Sequence, residues 1–170
     1  TSLKEAQATG YPREKMYGIW WAGAEPDVKD VGDGAKGYNA LAMQHGAEQG
    51  SKVVKEVLEK VHAKGQGTGP KEEVGQVLYM RGLISAMLSV EGVRAAQARF
   101  GKGKRITGEQ MRWGLENINL DQKTLDAMGF GGVMRPVQTS CLDHMGSAWA
   151  RLHTWDGKKW NFSSDWYQGD

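Results

Sequence analysis

Cysteine is the scarcest chemistry in this chain: 170 residues carry one, Cys141, so no internal disulfide can form. Proline is also sparse, at four, and no continuous apolar run is long enough to cross a membrane. Charge of one sign is lacking as well. A formal net charge of +2 gives no electrostatic case for nucleic acid or an anionic membrane surface as a partner. The opening TSLKEA is neither an initiator Met nor a charged-then-apolar leader, so the start is expected to be processed or truncated. No phosphate-binding GxxxxGK[ST] loop and no internal repeat is present, and no cofactor is expected.

What remains is an ordinary globular composition, 39% hydrophobic and 25% charged, with two unusual abundances: 24 Gly and seven Trp. That much glycine favours tight turns and close backbone contacts over a simple helix bundle. The length suits one domain with a respectable core, and the class expected is soluble α/β.

Residues 15–27, KMYGIWWAGAEPD, organise the reading. Met16, Tyr17, Ile19, Trp20 and Trp21 form an apolar run bounded by Pro12, Gly23 and Pro26, the pattern of a buried strand. A short helix over residues 2–8, with Leu3 and Ala6 on one face and Gly10 and Pro12 as stops, precedes it. Ligands of open α/β sheets lie beyond the carboxyl ends of strands, which makes Trp20, Trp21, Ala24 and Glu25 the candidate binding residues. Core and rim packing is the competing role for the two Trp.

Further along, residues 37–43 read as a second strand. Residues 51–61 read as a one-sided helix with Val53, Val54, Val57, Leu58 and Val61 at helical spacing. Residues 72–100 read as a buried helix in which Gly75, Gly82 and Gly92 admit another backbone. Thr107 with Gln110 is a capping box opening a helix that faces the core with Met111, Leu115 and Ile118. Asp121 to Gly129 reads as one more short helix. The tail reads as a hairpin about Asp156-Gly157 in a type I′ turn, with Trp149, Arg151, His153 and Trp155 alternating along one aromatic face.

Cys141, Asp143 and His144 fall within TSCLDHMG but lack the paired spacing of a metal site and a base across the fold. A buried thiol in a loop braced by Asp143 and His144 is expected, with no metal and no catalysis. His45, His62 and His153 add little to a catalytic case. A hydrolase is a distant third function class.

The order of the KMYGIWWAGAEPD and GYNALAM segments, the helix ITGEQMRWGLENI, the loop PVQTSCLDHMG and the terminal WDGKKWNFSSDW resembles the carboxyl-terminal part of type I periplasmic substrate-binding proteins of ABC transporters. The likeness is to the branch that takes branched-chain amino acids, amides or aromatic acids. It implies an α/β, carboxyl-terminal fragment of a two-lobed periplasmic-binding-protein-like fold ending in a β-hairpin. Residues 1–46 would be part of the second lobe, 47–136 would be helices belonging with the first, and 137–170 would return to the second. It further implies a periplasmic solute-binding component, with a small-molecule ligand and a membrane permease as partners and the amino-terminal lobe missing. Glu25 would meet a ligand ammonium group and Trp20 or Trp21 would form an apolar wall. A fragment holding half of the clamshell is expected to bind poorly and to be dimeric or larger. The alternative is the same fold serving as the sensor domain of a receptor or regulator.

Overall fold

The computed structural model describes residues 2–47 and 50–169; Thr1, Glu48, Gln49 and Asp170, which fall within the expected lobe segments, lie outside the described residues. Helix α1 is Ser2–Ala8, with Leu3 and Ala6 buried as its spacing predicts. Strand β1 is Tyr17–Gly18 and helix α2 is Glu25–Lys29. Strand β2 is Asn39–Ala42, and α3 is Lys52–Lys60, with Val53 and Val54 buried. The long helix α4 is Val77–Phe100, α5 is Gly108–Leu115, β3 is Asn119–Leu120 and α6 is Gln122–Met128. Strands β4 (Val137–Gln138), β5 (Trp149–Trp155), β6 (Trp160–Phe162) and β7 (Tyr167–Gln168) complete the chain.

The larger sheet runs β1-β2-β5-β6, with β1 parallel to β2 and the remaining neighbours antiparallel. Strand β5 is its spine. Asn39 to Ala42 pair with Thr154 to Arg151 on one side, and β6 and β7 share the other. The small sheet pairs β3 with β4.

Buried apolar side chains divide into two clusters. One gathers Leu3, Val28, Tyr38, Ala40, Trp155 and Trp160 around the larger sheet; Val77, the first residue of α4, belongs to it. The other gathers Val54, Met80, Ile84, Leu125, Phe130 and Met134 among the helices. Met80, fully buried, contributes about 1.5–3 kcal/mol through its own burial.

The capping expectations are met in detail. Thr107 Oγ1 accepts from the Gln110 amide at 3.2 Å, and the Gln110 side chain accepts from the Thr107 amide at 3.0 Å. Asp121 Oδ1 accepts from the Thr124 amide at 2.7 Å, and Gly129 closes α6 with φ +89°, a left-handed conformation that suits glycine.

Four expectations are corrected. The run over residues 16–21 is not a buried strand: only Tyr17 and Gly18 pair with β2, and Tyr17, Ile19 and Trp21 are each about two-thirds exposed. Packing takes only the alternate side, and the chain leaves the sheet at Ile19 into a single 3-10 turn, Trp20–Ala22. The helix expected from residue 72 starts at Val77, because Lys71–Glu73 is a separate 3-10 turn and Gly75 takes φ +98°. Within α4, Gly92 is the close-approach glycine, whereas a Cβ at Gly82 would meet nothing; its partner is Gly114 of α5, where a Cβ would overlap the Gly92 carbonyl oxygen. Leu115, expected on one face with Met111 and Ile118, lies over Gly92 and is 39% exposed. The hairpin turn is not type I′: Gly157 has φ +103°, but no residue other than glycine has positive φ among the described residues. Trp155 pairs with Trp160 across a four-residue loop, and Asp156 Oδ1 accepts from the Lys158 and Lys159 amides at 2.8 and 2.9 Å.

Candidate functional site

The candidate site grows out of the end of β1. Gly18 lets the Tyr38 hydroxyl press against the backbone, since a Cβ there would overlap it. The 3-10 turn that follows is closed by the Ala22 amide donating to the Ile19 carbonyl at 2.9 Å, and it brings the rings of Trp20 and Trp21 to 4.0 Å between centroids at 33°. Ala24 then caps α2, its amide donating to Asp27 Oδ2 at 2.9 Å, and is itself 1% exposed. Pro26 in the first turn costs no hydrogen bond there.

Glu25 is half-buried. Its Oε2 accepts from the amide of Val77 at 3.1 Å, which is the first N–H of α4. Burial pushes its carboxyl above the usual range, opposed by backbone hydrogen bonds and by Lys29. The carboxylate expected to meet a ligand ammonium group is therefore engaged in holding a helix end.

Arg81 is the residue that the sequence reading missed. Its Nη2 donates to the Trp20 carbonyl at 3.0 Å, and its guanidinium lies 4.3 Å from the Trp20 ring centroid and 5.5 Å from that of Trp21. Burial lowers its pKa, and Asp27 partly offsets this. A signal existed: with Val77 and Ile84 at positions i−4 and i+3, Arg81 lies on an otherwise buried face of α4.

On the other side of Glu25 an open cavity of about 630 Å³ is lined by Glu25, His45, Gly75, Val133, Trp160 and Phe162, among others. Beneath it His153, 1% exposed, stacks on Trp160 with centroids 4.0 Å apart, and His45 packs against Phe162 at 3.9 Å. Burial, reinforced by His45, Arg151 and Arg81, lowers the His153 pKa to about 3, so its imidazole is neutral at pH 7. His153 therefore fills the core, on the aromatic face that the alternation of β5 marks out.

The loop after β4 does not assemble catalytic machinery. Cys141, expected to be buried, is exposed. The loop turns outward because Ser140 Oγ accepts from the Leu142 and Asp143 amides, and Asp143 Oδ1 accepts from the Met145 amide at 2.9 Å. His144 faces Glu116 at 3.3 Å instead of the thiol, and Glu116 also takes the Arg112 guanidinium at 2.8 Å. Among the described residues no three His, Cys, Asp or Glu side chains are grouped to hold a metal ion, and no helix is long and apolar enough to cross a membrane.

No family model matches the chain, and no curated protein matches it either. Solved structures do. A protein described as an ABC transporter permease from the Pseudomonas fluorescens group superposes with a TM-score of 0.90 at 36% identity, over 99% of this chain and 40% of its own. A branched-chain amino acid ABC transporter from Thermus thermophilus with bound valine gives 0.73 at 22%, over 99% and 42%. An ABC transporter substrate-binding protein from Aeropyrum pernix gives 0.68 at 12%, over 98% and 41%. The chain thus spans about two-fifths of the length of the structures it matches.

Proposed function

We propose, for a chain that carries the fold of part of an ABC-transporter substrate-binding protein, that its parent is the solute-binding component of an importer and captures a small ligand between two lobes. The observation that carries this reading is the superposition over 99% of the chain at a TM-score of 0.90, together with a neighbour whose description includes bound valine. The existence of two apolar clusters supports a division into lobes, proposed as residues 1–46 and 137–170 in one and 47–136 in the other, with Val77 and Val137 each packing across those bounds. Trp20 and Trp21 are the proposed apolar wall, since both rings lie against Arg81 of α4 and Trp21 is 64% exposed. Ala24 and Glu25 complete the proposed site from beneath, one as the cap of α2 and the other as the link to α4.

Within this reading the ligand is a branched-chain amino acid, an amide or an aromatic acid, the partner is a membrane permease, and the compartment is the periplasm. No catalytic role is proposed for Cys141, Asp143 or His144: Asp143 braces its own loop, and His144 faces Glu116. With a substantial part of a two-lobed protein absent, the 170-residue chain alone leaves Ile19, Trp21, Leu142 and Met145 in solvent and is expected to bind weakly and to self-associate. Sedimentation showing a stable, cooperatively unfolding monomer at micromolar concentration would contradict that last point.

The test is thermal unfolding of the full-length parent against valine, leucine, benzamide, urea and benzoate. A ligand at about 100 times its Kd stabilises the native state by about 2.7 kcal/mol, a readily measured shift in Tm. No shift with any of the five would sink the reading.

A further inference from the structure

We propose that Glu25 and Arg81 form a two-point clasp between the segment over residues 20–25 and the start of α4, and that both are positioning residues which set the angle between the two packing units. The inference rests on the solute-binding reading for its consequence, although the clasp itself can be tested without a ligand.

The two contacts are reciprocal. Glu25, from the sheet-bearing unit, supplies a side chain to a backbone group of α4, accepting from the Val77 amide at 3.1 Å. Arg81, from α4, supplies a side chain to a backbone group of the sheet-bearing unit, donating to the Trp20 carbonyl at 3.0 Å. Residues 77 and 81 stand one helical turn apart on the same face, so the two bonds are separate points along α4. A single contact is a pivot; two contacts at different points oppose rotation.

Neither side chain has a better local explanation. The first N–H groups of a helix lack intrahelical acceptors, and Gln76 at the cap position of α4 makes no side-chain bond to them. Glu25 meets that need from 52 positions earlier in the chain, with a charge that the helix dipole favours. Among the described residues no carboxylate forms a close ion pair with Arg81, Asp27 acting on it only at longer range, and its guanidinium meets the Trp20 carbonyl and the two indole rings. A guanidinium placed on this face of α4 is thus bound to residues 20 and 21 rather than to its own helix.

Other links join the units elsewhere: the Arg135 guanidinium lies 5.0 and 6.0 Å from the Trp149 and Trp166 ring centroids, and backbone bonds form where the chain passes from one unit to the other. The Ala47 amide donates to the Gly75 carbonyl at 2.7 Å, and the His45 amide donates to the Val133 carbonyl at 2.9 Å. Those bonds sit at the crossover and act as the hinge, whereas Glu25 and Arg81 act as the catch. Arg81 holds both the carbonyl and the ring of Trp20, so opening the catch also frees the proposed ligand wall.

The experiment uses the full-length parent carrying Glu25→Ala, Glu25→Gln, Arg81→Met and Arg81→Lys. The Val77 amide has no acceptor in its own helix, so its hydrogen exchange reports on Glu25 directly and should accelerate by about tenfold or more in Glu25→Ala, and less in Glu25→Gln. Spin labels on the exposed positions Lys4 and Lys123, with Cys141 replaced by Ser, should give a broader distance distribution in Glu25→Ala and Arg81→Met, narrowed again in Arg81→Lys. Stopped-flow release of valine or benzoate, whichever stabilises the wild type, should be several-fold faster in Arg81→Met, whose side chain is not among the proposed ligand contacts.

Unchanged Val77 exchange together with an unchanged distance distribution would overturn the clasp, even if Tm fell. A broadened distribution with unchanged release would overturn its role in ligand retention. The expected exchange and distance changes in a parent that binds none of the probes would uphold the clasp and count against solute binding.

Discussion

The two packing units solve the problem of filling space in opposite ways. In the helical unit, α4 and α5 meet where side chains are missing, with Gly114 set against the Gly92 carbonyl so closely that no Cβ fits. In the sheet-bearing unit the space is taken by large rings, with Trp160 in contact with Tyr38, His153 and Trp155. At these two contacts one unit resists an added Cβ and the other the loss of a ring, and substitutions that enlarge Gly114 or shrink Trp160 probe them separately.

The largest effect is expected from deletion in the sheet-bearing unit. Trp160 is 4% exposed and touches three rings, so Trp160→Ala should cost about 4 kcal/mol in urea unfolding of the full-length protein. A loss below about 1 kcal/mol would mean that the aromatic face is not the core of that unit.

Addition in the helical unit comes next. Gly114→Ala should cost about 3 kcal/mol, because the new methyl can be accommodated only by moving α5 away from α4. Gly82→Ala, in the partner helix α4 and with nothing within 4 Å, should instead stabilise by up to about 1 kcal/mol through helix propensity. Equal effects at the two positions would dissolve the contrast between the units.

Acid probes the sheet-bearing unit without changing its volume. Burial lowers the folded-state pKa of His153 to about 3 from the ordinary 6.5 of an imidazole. The unfolded chain therefore takes up a proton below pH 6.5 that the folded chain refuses, so stability is fully present above that pH and is lost as pH falls towards 3. Between pH 7 and pH 5 the loss should be about 2 kcal/mol. His153→Phe should flatten the slope in that interval, because the carboxylates with lowered pKa, such as Asp121 and Asp156, titrate further towards acid. An unchanged slope in His153→Phe would show that His153 is not held neutral.

The contrast also explains what could be read from the sequence. Helix ends in the second unit are written locally: Thr107 and Gln110 are three apart and Asp121 and Thr124 are three apart, so the hydrogen bonds are visible as spacings. The alternation of β5 likewise predicts its aromatic face. Residues 16–21 misled because an apolar run carries no record of which side will be covered, and Tyr17 and Ile19 are left exposed by a sheet edge set from elsewhere. The glycine contact between α4 and α5 was read at Gly92 but not at Gly114, since a crossing point depends on two helices and sequence spacing describes one. The site was half legible for the same reason. Trp20, Trp21 and Glu25 are neighbours in sequence, whereas Arg81 reaches Trp20 from 61 positions away.

The smallest expected effect lies at those local signals. Thr107→Ala removes the acceptor for the Gln110 amide, and Asp121→Ala removes the acceptor for the Thr124 amide; each should cost about 1 kcal/mol. The two caps are exposed and share no partner, so the double variant should lose close to the sum, about 2 kcal/mol. Asp121 carries an extra electrostatic contribution, because its carboxyl is held below the usual range by the Thr124 hydroxyl and amide. Its share should disappear as the carboxylate protonates in strong acid, whereas that of Thr107 should not. Urea midpoints for the two single variants and the double at pH 7, repeated in acid strong enough to titrate the depressed carboxyl, measure both points. Strong non-additivity at pH 7 would mean that α5 and α6 are coupled through the helical core, and that the unit reads its helix ends less locally than their spacing indicates.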